Sequence, residues 1–271
     1  MSRTSSPVRF HLTALAVGAV ALLVVACGSP ANPTAPSPLS ATSNMTQGAG
    51  GAPQSSAGKV NVCHRSGGGF HLINVSGNAV KAHLDHGDGL PGGAVPGSTG
   101  QVFDANCQVL KKHTLVLVSG ASGGIGSLDP SITYTKASGG SGTAVILSLH
   151  PYYVALAGAQ YVNWAIRSDG YGTEHPGDDV TYSTSFTLPA GAINPSLSGT
   201  FYADNRGDGF LNGTAIGGHA ASPFQQGHTT PASISASGGF VSGANTLSFR
   251  VRDDNGIAGL AFSVTVTYWA P

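Results

Sequence analysis

The sequence predicts a mainly β protein: a two-sheet sandwich of the jelly-roll kind over residues 129–271, preceded by a small α+β module rich in Cys and His. Three observations carry this. Apolar residues alternate with Ser, Thr and Arg in three runs: Val180, Tyr182, Phe186 and Leu188; then Leu247, Phe249 and Val251; then Leu260, Phe262, Val264, Val266 and Tyr268. A period of two marks a half-buried strand. Turn formers such as Ser168-Asp169-Gly170, Asn212-Gly213 and Asp254-Asn255-Gly256 separate the runs. Finally, 40 of the 271 residues are Gly and only 9% are charged, a composition that suits strands and turns.

In chain order, residues 1–26 read as a secretory signal. Arg3 and Arg9 precede an apolar stretch from Leu12 to Ala26 that is too short for a comfortable membrane span. Val24-Val25-Ala26-Cys27 resembles a bacterial lipoprotein signal. The resemblance implies that Cys27 carries the lipid, palmitate included. It also implies that the chain is exported and anchored to the cell envelope, at the outer membrane or cell surface in preference to the inner membrane. Residues 27–57, rich in Pro, Ser and Ala, read as a disordered tether.

Residues 58–112 form the small module. A strand is expected over 70–76 and a helix over 77–86 with Asn78 as its cap, ended by Gly87, Gly89 and Pro91. Residues 113–128 are expected to connect module to sandwich. Within them, residues 114–126 (TLVLVSGASGGIG) read as an apolar strand leading into a glycine linker; they resemble the opening of the short-chain dehydrogenases, but Pro130 and the β-branched Ile132, Thr133 and Thr135 follow, and no helix fits there. A dinucleotide needs that helix for its pyrophosphate, so no NAD is expected. Further strands are expected over 143–149, 161–166 and 197–203. Lys and Arg number 12, as do Asp and Glu, and the absence of a basic patch argues against nucleic acid.

Candidate chemistry concentrates in the module. Four of the ten His lie there, with Cys63 and Cys107. His83 and His86 are three apart, which on a helix turns both rings to one face. Cys63, His83, His86 and Cys107 would make a tetrahedral Zn²⁺ set, with His64 as a further ligand and Asp88 as a carboxylate fixing a His tautomer. The competing reading is a Cys63–Cys107 disulfide, which an oxidising compartment favours, either alone or beside a separate metal site made of His or of His and Asp. Val62-Cys63-His64, Phe70-His71-Leu72-Ile73 and Ala82-His83-Leu84-Asp85-His86-Gly87-Asp88 together resemble a small module of bacterial surface proteins. That resemblance implies a domain and no particular activity.

Tyr161-Val-Asn-Trp164, Tyr182 to Leu188, Leu197 to Asn205, Leu211-Asn212-Gly213, Gly243 to Phe249 and Gly256 to Leu260 resemble the galactose-binding-like jelly rolls of exported bacterial proteins. The resemblance implies sugar recognition. Candidate ligand-binding residues are Trp164, Asp204, Asn205, Arg206 and Asn212. Each has a structural alternative: core packing for Trp164, a turn or a structural Ca²⁺ for Asp204 and Asn205, a hairpin turn for Asn212. The function read from the sequence is a lipid-anchored cell-envelope binding protein for a glycan or a surface protein partner, with no catalytic residue assigned. Two alternatives stand beside it: a metal-dependent hydrolase using His83, His86 and Asp88, and a purely structural envelope protein.

Overall fold

A computed structural model describes residues 58–220 and 226–271. The signal segment, Cys27 and the tether lie outside the described residues. No helix among the described residues is long and apolar enough to cross a membrane.

The module opens with an antiparallel hairpin, β1 (Lys59–Ser66) and β2 (Gly69–Ser76). Gly67 and Gly68 form its two-residue turn, both at positive φ (58° and 91°) as a primed turn demands. Register places Cys63 opposite Leu72 and His64 opposite His71. A 3₁₀ turn (Gly77–Ala79) leads into α1 (Val80–Asp85). The helix is shorter than the 77–86 expected. Its N-cap is Ala79, which makes no side-chain cap bond, so Asn78 does not cap it. Gly87, at φ 89°, ends it in the left-handed conformation usual after a helix.

β3 (Gln101–Phe103) and β4 (Val109–Val118) follow. β4 crosses the expected module boundary. From Lys111 to Val118 it pairs with β14 (Gly259–Ala270), and β3 pairs on its other side. Residues 113–118 are thus a strand of the main sheet, and the module enters the sandwich through a shared ladder. Leu115 and Leu117 pack against the sandwich core, which a short solvated linker would not require.

The sandwich continues with β5 (Leu128–Lys136), β6 (Ser141–Ile146), β7 (Val162–Asn163), β8 (Val180–Leu188), β9 (Ile193–Asp204), β10 (Arg206–Leu211), β11 (Thr214–Gly218), β12 (Ala232–Ala236) and β13 (Gly243–Arg252). One layer runs β11-β10-β13-β8-β5-β6 and the other β12-β9-β14-β4-β3. The short β7 links β6 to β14. The strand expected over 161–166 is only β7, because the Asn163 side chain is buried and diverts the chain. Its amide donates to the Thr173 carbonyl, and its oxygen accepts from the Trp164 N–H and the Tyr182 hydroxyl. Between the layers Phe249 of β13 stacks on Phe262 of β14 (4.7 Å) and meets Phe201 of β9 (5.0 Å). All three are almost fully buried, so this aromatic seam is the centre of the core.

Candidate functional site

Two places bring functional side chains together. The first is in the module. Cys63 and Cys107 are joined by a disulfide across 44 residues of chain. Their sulfurs are bound to each other, so the Cys₂His₂ zinc set is not formed; the oxidised pair offers no thiolate to an ion. The hairpin and the segment after α1 are also clasped by two backbone bonds. The Cys63 N–H donates to the Gly89 carbonyl (2.8 Å) and the Gly89 N–H to the Cys63 carbonyl (3.0 Å). A side chain at Gly89 would run into the Phe103 ring. This clasp sets His64 beside Asp88.

Asp88 is the hub. Its Oδ1 accepts the Arg65 N–H at 2.7 Å, and its Oδ2 lies 2.9 Å from His64 Nδ1 and 2.7 Å from His83 Nδ1. The two imidazoles meet edge-on, with centroids 5.5 Å apart. The Asp88 side chain is 2% exposed, those of His64 and His83 41% and 25%. Burial raises the Asp88 pKa, but the Arg65 N–H and the two imidazoles together outweigh it and hold it down at about 2. His86 stays out of this group. It is the C-cap of α1 and exposed, because the helix ends before His83 and His86 share a face. The sequence pairing of His83 with His86 is therefore replaced by His83 with His64.

The second place is a cleft of about 380 Å³ on the sandwich, lined by residues that include His150, Tyr152, Tyr153, Asp204, Asn205 and His228. Tyr152 is 76% exposed, while His150 packs against Tyr152, Tyr153 and Tyr171. Asp204, at the end of β9, is buried. His228 Nδ1 sits 3.1 Å from its Oδ1, and the Tyr153 hydroxyl donates to its Oδ2 at 2.9 Å. That hydroxyl also lies 2.7 Å from the Ile257 carbonyl, so one hydrogen faces two acceptors. Burial pushes the Asp204 carboxyl up, His228 opposes this, and Asp253 adds to it. Burial likewise lowers the His150 pKa, with the His228 charge acting the same way.

Of the five sequence candidates, Asp204 and Asn205 line this cleft. Asn205 spends its side chain on structure, accepting the Asp254 N–H at 2.6 Å. Arg206 lies 3.9 Å from Asp254 and lines a neighbouring charged depression with Asp179, Asp208, Arg250 and Arg252. Trp164 packs on the core with Lys136 over its ring at 4.4 Å. Asn212 forms the β10–β11 turn, its oxygen accepting from the Thr246 N–H and its amide donating to Gly239. His150, Tyr152, Tyr153 and His228 were not read from the sequence as site residues; the run His150-Pro151-Tyr152-Tyr153 was the one signal pointing to them. After Gly126 the chain enters β5 directly, so the glycines of 120–126 open no helix.

No family model matches the chain, and no curated protein matches it. Among solved structures it is similar to the β-glucuronidase of Ruminococcus gnavus, at 13% identity and a TM-score of 0.31 over 58% of this chain and 29% of that chain. It is similar to the CBM36-1 domain of a multidomain xylanase from the hindgut metagenome of Trinervitermes trinervoides, at 15% identity and a TM-score of 0.30 over 59% and 99%. It is also similar to a CBM35 from Paenibacillus barcinonensis, at 16% identity and a TM-score of 0.28 over 55% and 97%. The chain thus spans less than a third of the glucuronidase. At these TM-scores the likenesses carry no argument about activity.

Proposed function

We propose that this protein is a lipid-anchored binding protein of the bacterial cell envelope that takes a glycan in the Tyr152–Asp204 cleft. One observation carries the reading. An exposed tyrosine ring stands in the same cleft as a buried carboxyl and an imidazole that are fixed by hydrogen bonds. Sugar rings need an apolar face to stack on and a few polar groups held in place; the cleft offers both. Anchorage rests on Cys27 after Val-Val-Ala. A surface protein is the alternative ligand.

Glycan arrays probed with the full chain test the reading. Tyr152→Ala is expected to weaken binding about tenfold, the equivalent of roughly 1.4 kcal/mol. Trp164→Phe, altering a ring packed on the core, should leave it near wild type. An array without retained glycans, or equal retention by Tyr152→Ala, would sink the proposal. Palmitate labelling that vanishes in Cys27→Ser tests the anchor separately.

A further inference from the structure

We propose that His64, His83 and Asp88 hold one divalent transition-metal ion of the Zn²⁺ class, at an open site with three protein ligands. Among the described residues these three form the group whose ligand atoms lie close enough for an ion, all within 4.8 Å of one another. Two imidazoles and a carboxylate suit Zn²⁺ and its neighbours in the transition series. Three protein ligands leave a tetrahedral ion one position for water or a small anion. The partial exposure of both His side chains puts that position on the solvent side, opposite the buried Asp88.

The group is held together by features that need no ion. The disulfide fixes Cys63, the neighbour of His64. The reciprocal Cys63–Gly89 backbone bonds fix the neighbour of Asp88. The Asp88 N–H donates to the His83 carbonyl at 3.2 Å, tying the third residue to the hub. Each ligand is therefore placed by its own backbone, and Asp88 is aimed by the Arg65 N–H. An ion entering the group takes the place of the hydrogens between each Nδ1 and Asp88 Oδ2; each neutral imidazole then carries its one N–H on Nε2, exchanged through solvent. Tetrahedral bonds of about 2.0–2.1 Å need ligand atoms about 3.3 Å apart. The present spacings of 2.7 and 2.9 Å reach that with a small rotation of exposed rings. This site differs from the Cys₂His₂ set: both Cys and His86 drop out and His64 becomes central, which leaves the sequence alternative of a disulfide beside a His/Asp site.

The test is calorimetric titration of Zn²⁺ into the full, disulfide-bonded chain, repeated with Co²⁺ and followed by its visible absorption. One ion per chain is expected, with the intense tetrahedral Co²⁺ bands. His64→Ala and His83→Ala should each weaken binding by at least about tenfold. His86→Ala, a more exposed imidazole three residues on from His83, should bind as wild type. Circular dichroism and an intact mass two hydrogens light would establish that the variants keep fold and disulfide. No binding with Zn²⁺ in large excess overturns the proposal. So does binding that survives both His64→Ala and His83→Ala, or that is lost in His86→Ala. Glycan retention by His83→Ala is read in parallel, so failure here leaves the cleft reading untouched.

Discussion

The module and the sandwich hold their shapes by different means. In the module the buried apolar cluster is Cys63, Val95, Phe103 and Cys107, with Phe70 and Val109 against it. The sandwich buries a cluster reaching from Ile132 to Ala270 and centred on Phe201, Phe249 and Phe262. A region with so little apolar surface cannot offset its own chain entropy by burial, so it relies on a covalent staple and paired backbone bonds. The two sites differ accordingly. The His64/His83/Asp88 group grows out of the staple: His64 and Asp88 are next to the clasped Cys63 and Gly89, and His83 is tied to Asp88. The Tyr152–Asp204 cleft is assembled from loops and strand ends carried by a rigid core. Geometry in the first depends on the disulfide and the few backbone bonds beside it; geometry in the second depends on packing throughout the sandwich.

Two substitutions test that contrast, the larger effect first. Phe262→Ala removes the central ring of the seam and should cost about 3–5 kcal/mol, lowering the denaturant midpoint of the whole chain. Cys63→Ser with Cys107→Ser removes the staple, worth about 4 kcal/mol for a loop of this length, but the loss should stay local. Hydrogen exchange is expected to show amide protection falling in β1, β2 and α1 while β8, β13 and β14 keep theirs. If protection falls equally in the sandwich, the ladder between β4 and β14 couples the two regions, and the contrast drawn here fails.

How much of this the sequence disclosed follows from whether the signal is local. β8 and β13 alternate buried and less buried residues along their length, which is the pattern visible in the letters. The Asn212-Gly213 turn is a two-residue signal and forms as read. β1 was missed because its burial does not alternate: Val62 and Cys63 are both buried and its ends are exposed. The apolar strand read from residue 114 forms as part of β4, but its start at Val109 and its place in the main sheet were not legible, because its partner, β14, lies about 150 residues further on. The sites follow the same rule. Asp204-Asn205 stood out as a turn, but Tyr153 and His228 reach Asp204 across 51 and 24 residues. His83 and His86 attracted attention through a helical spacing that a six-residue helix does not sustain. The Cys63–Cys107 pairing was open between metal and disulfide, since spacing alone does not distinguish them.

The smallest expected effect concerns the cleft's buried acid. Burial raises the Asp204 carboxyl, Asp253 raises it further, and His228 and the Tyr153 hydroxyl oppose them. The folded state therefore binds a proton more tightly than the unfolded chain does. Stability falls as pH rises from the ordinary carboxylate range through the raised folded value, then levels off. Asp253 is raised for the same reason, whereas Asp88 is depressed and has the opposite slope. The wild-type profile is thus a sum of opposing slopes, and only a difference isolates one group. Asp204→Asn keeps the shape and an acceptor oxygen but cannot titrate. Subtracting its melting-temperature profile from that of the wild type should leave a gap that narrows, or reverses in the variant's favour, as pH climbs above about 4, the ordinary carboxylate value. A pH-independent difference would mean that Asp204 titrates alike folded and unfolded. The cleft would then hold a charged carboxylate at every working pH, and a ligand hydroxyl would meet only an acceptor there. A raised value instead lets the same group donate to a sugar oxygen at the acid end and accept at the neutral end. Glycan retention measured across that interval would then vary with pH in the wild type and stay level in Asp204→Asn.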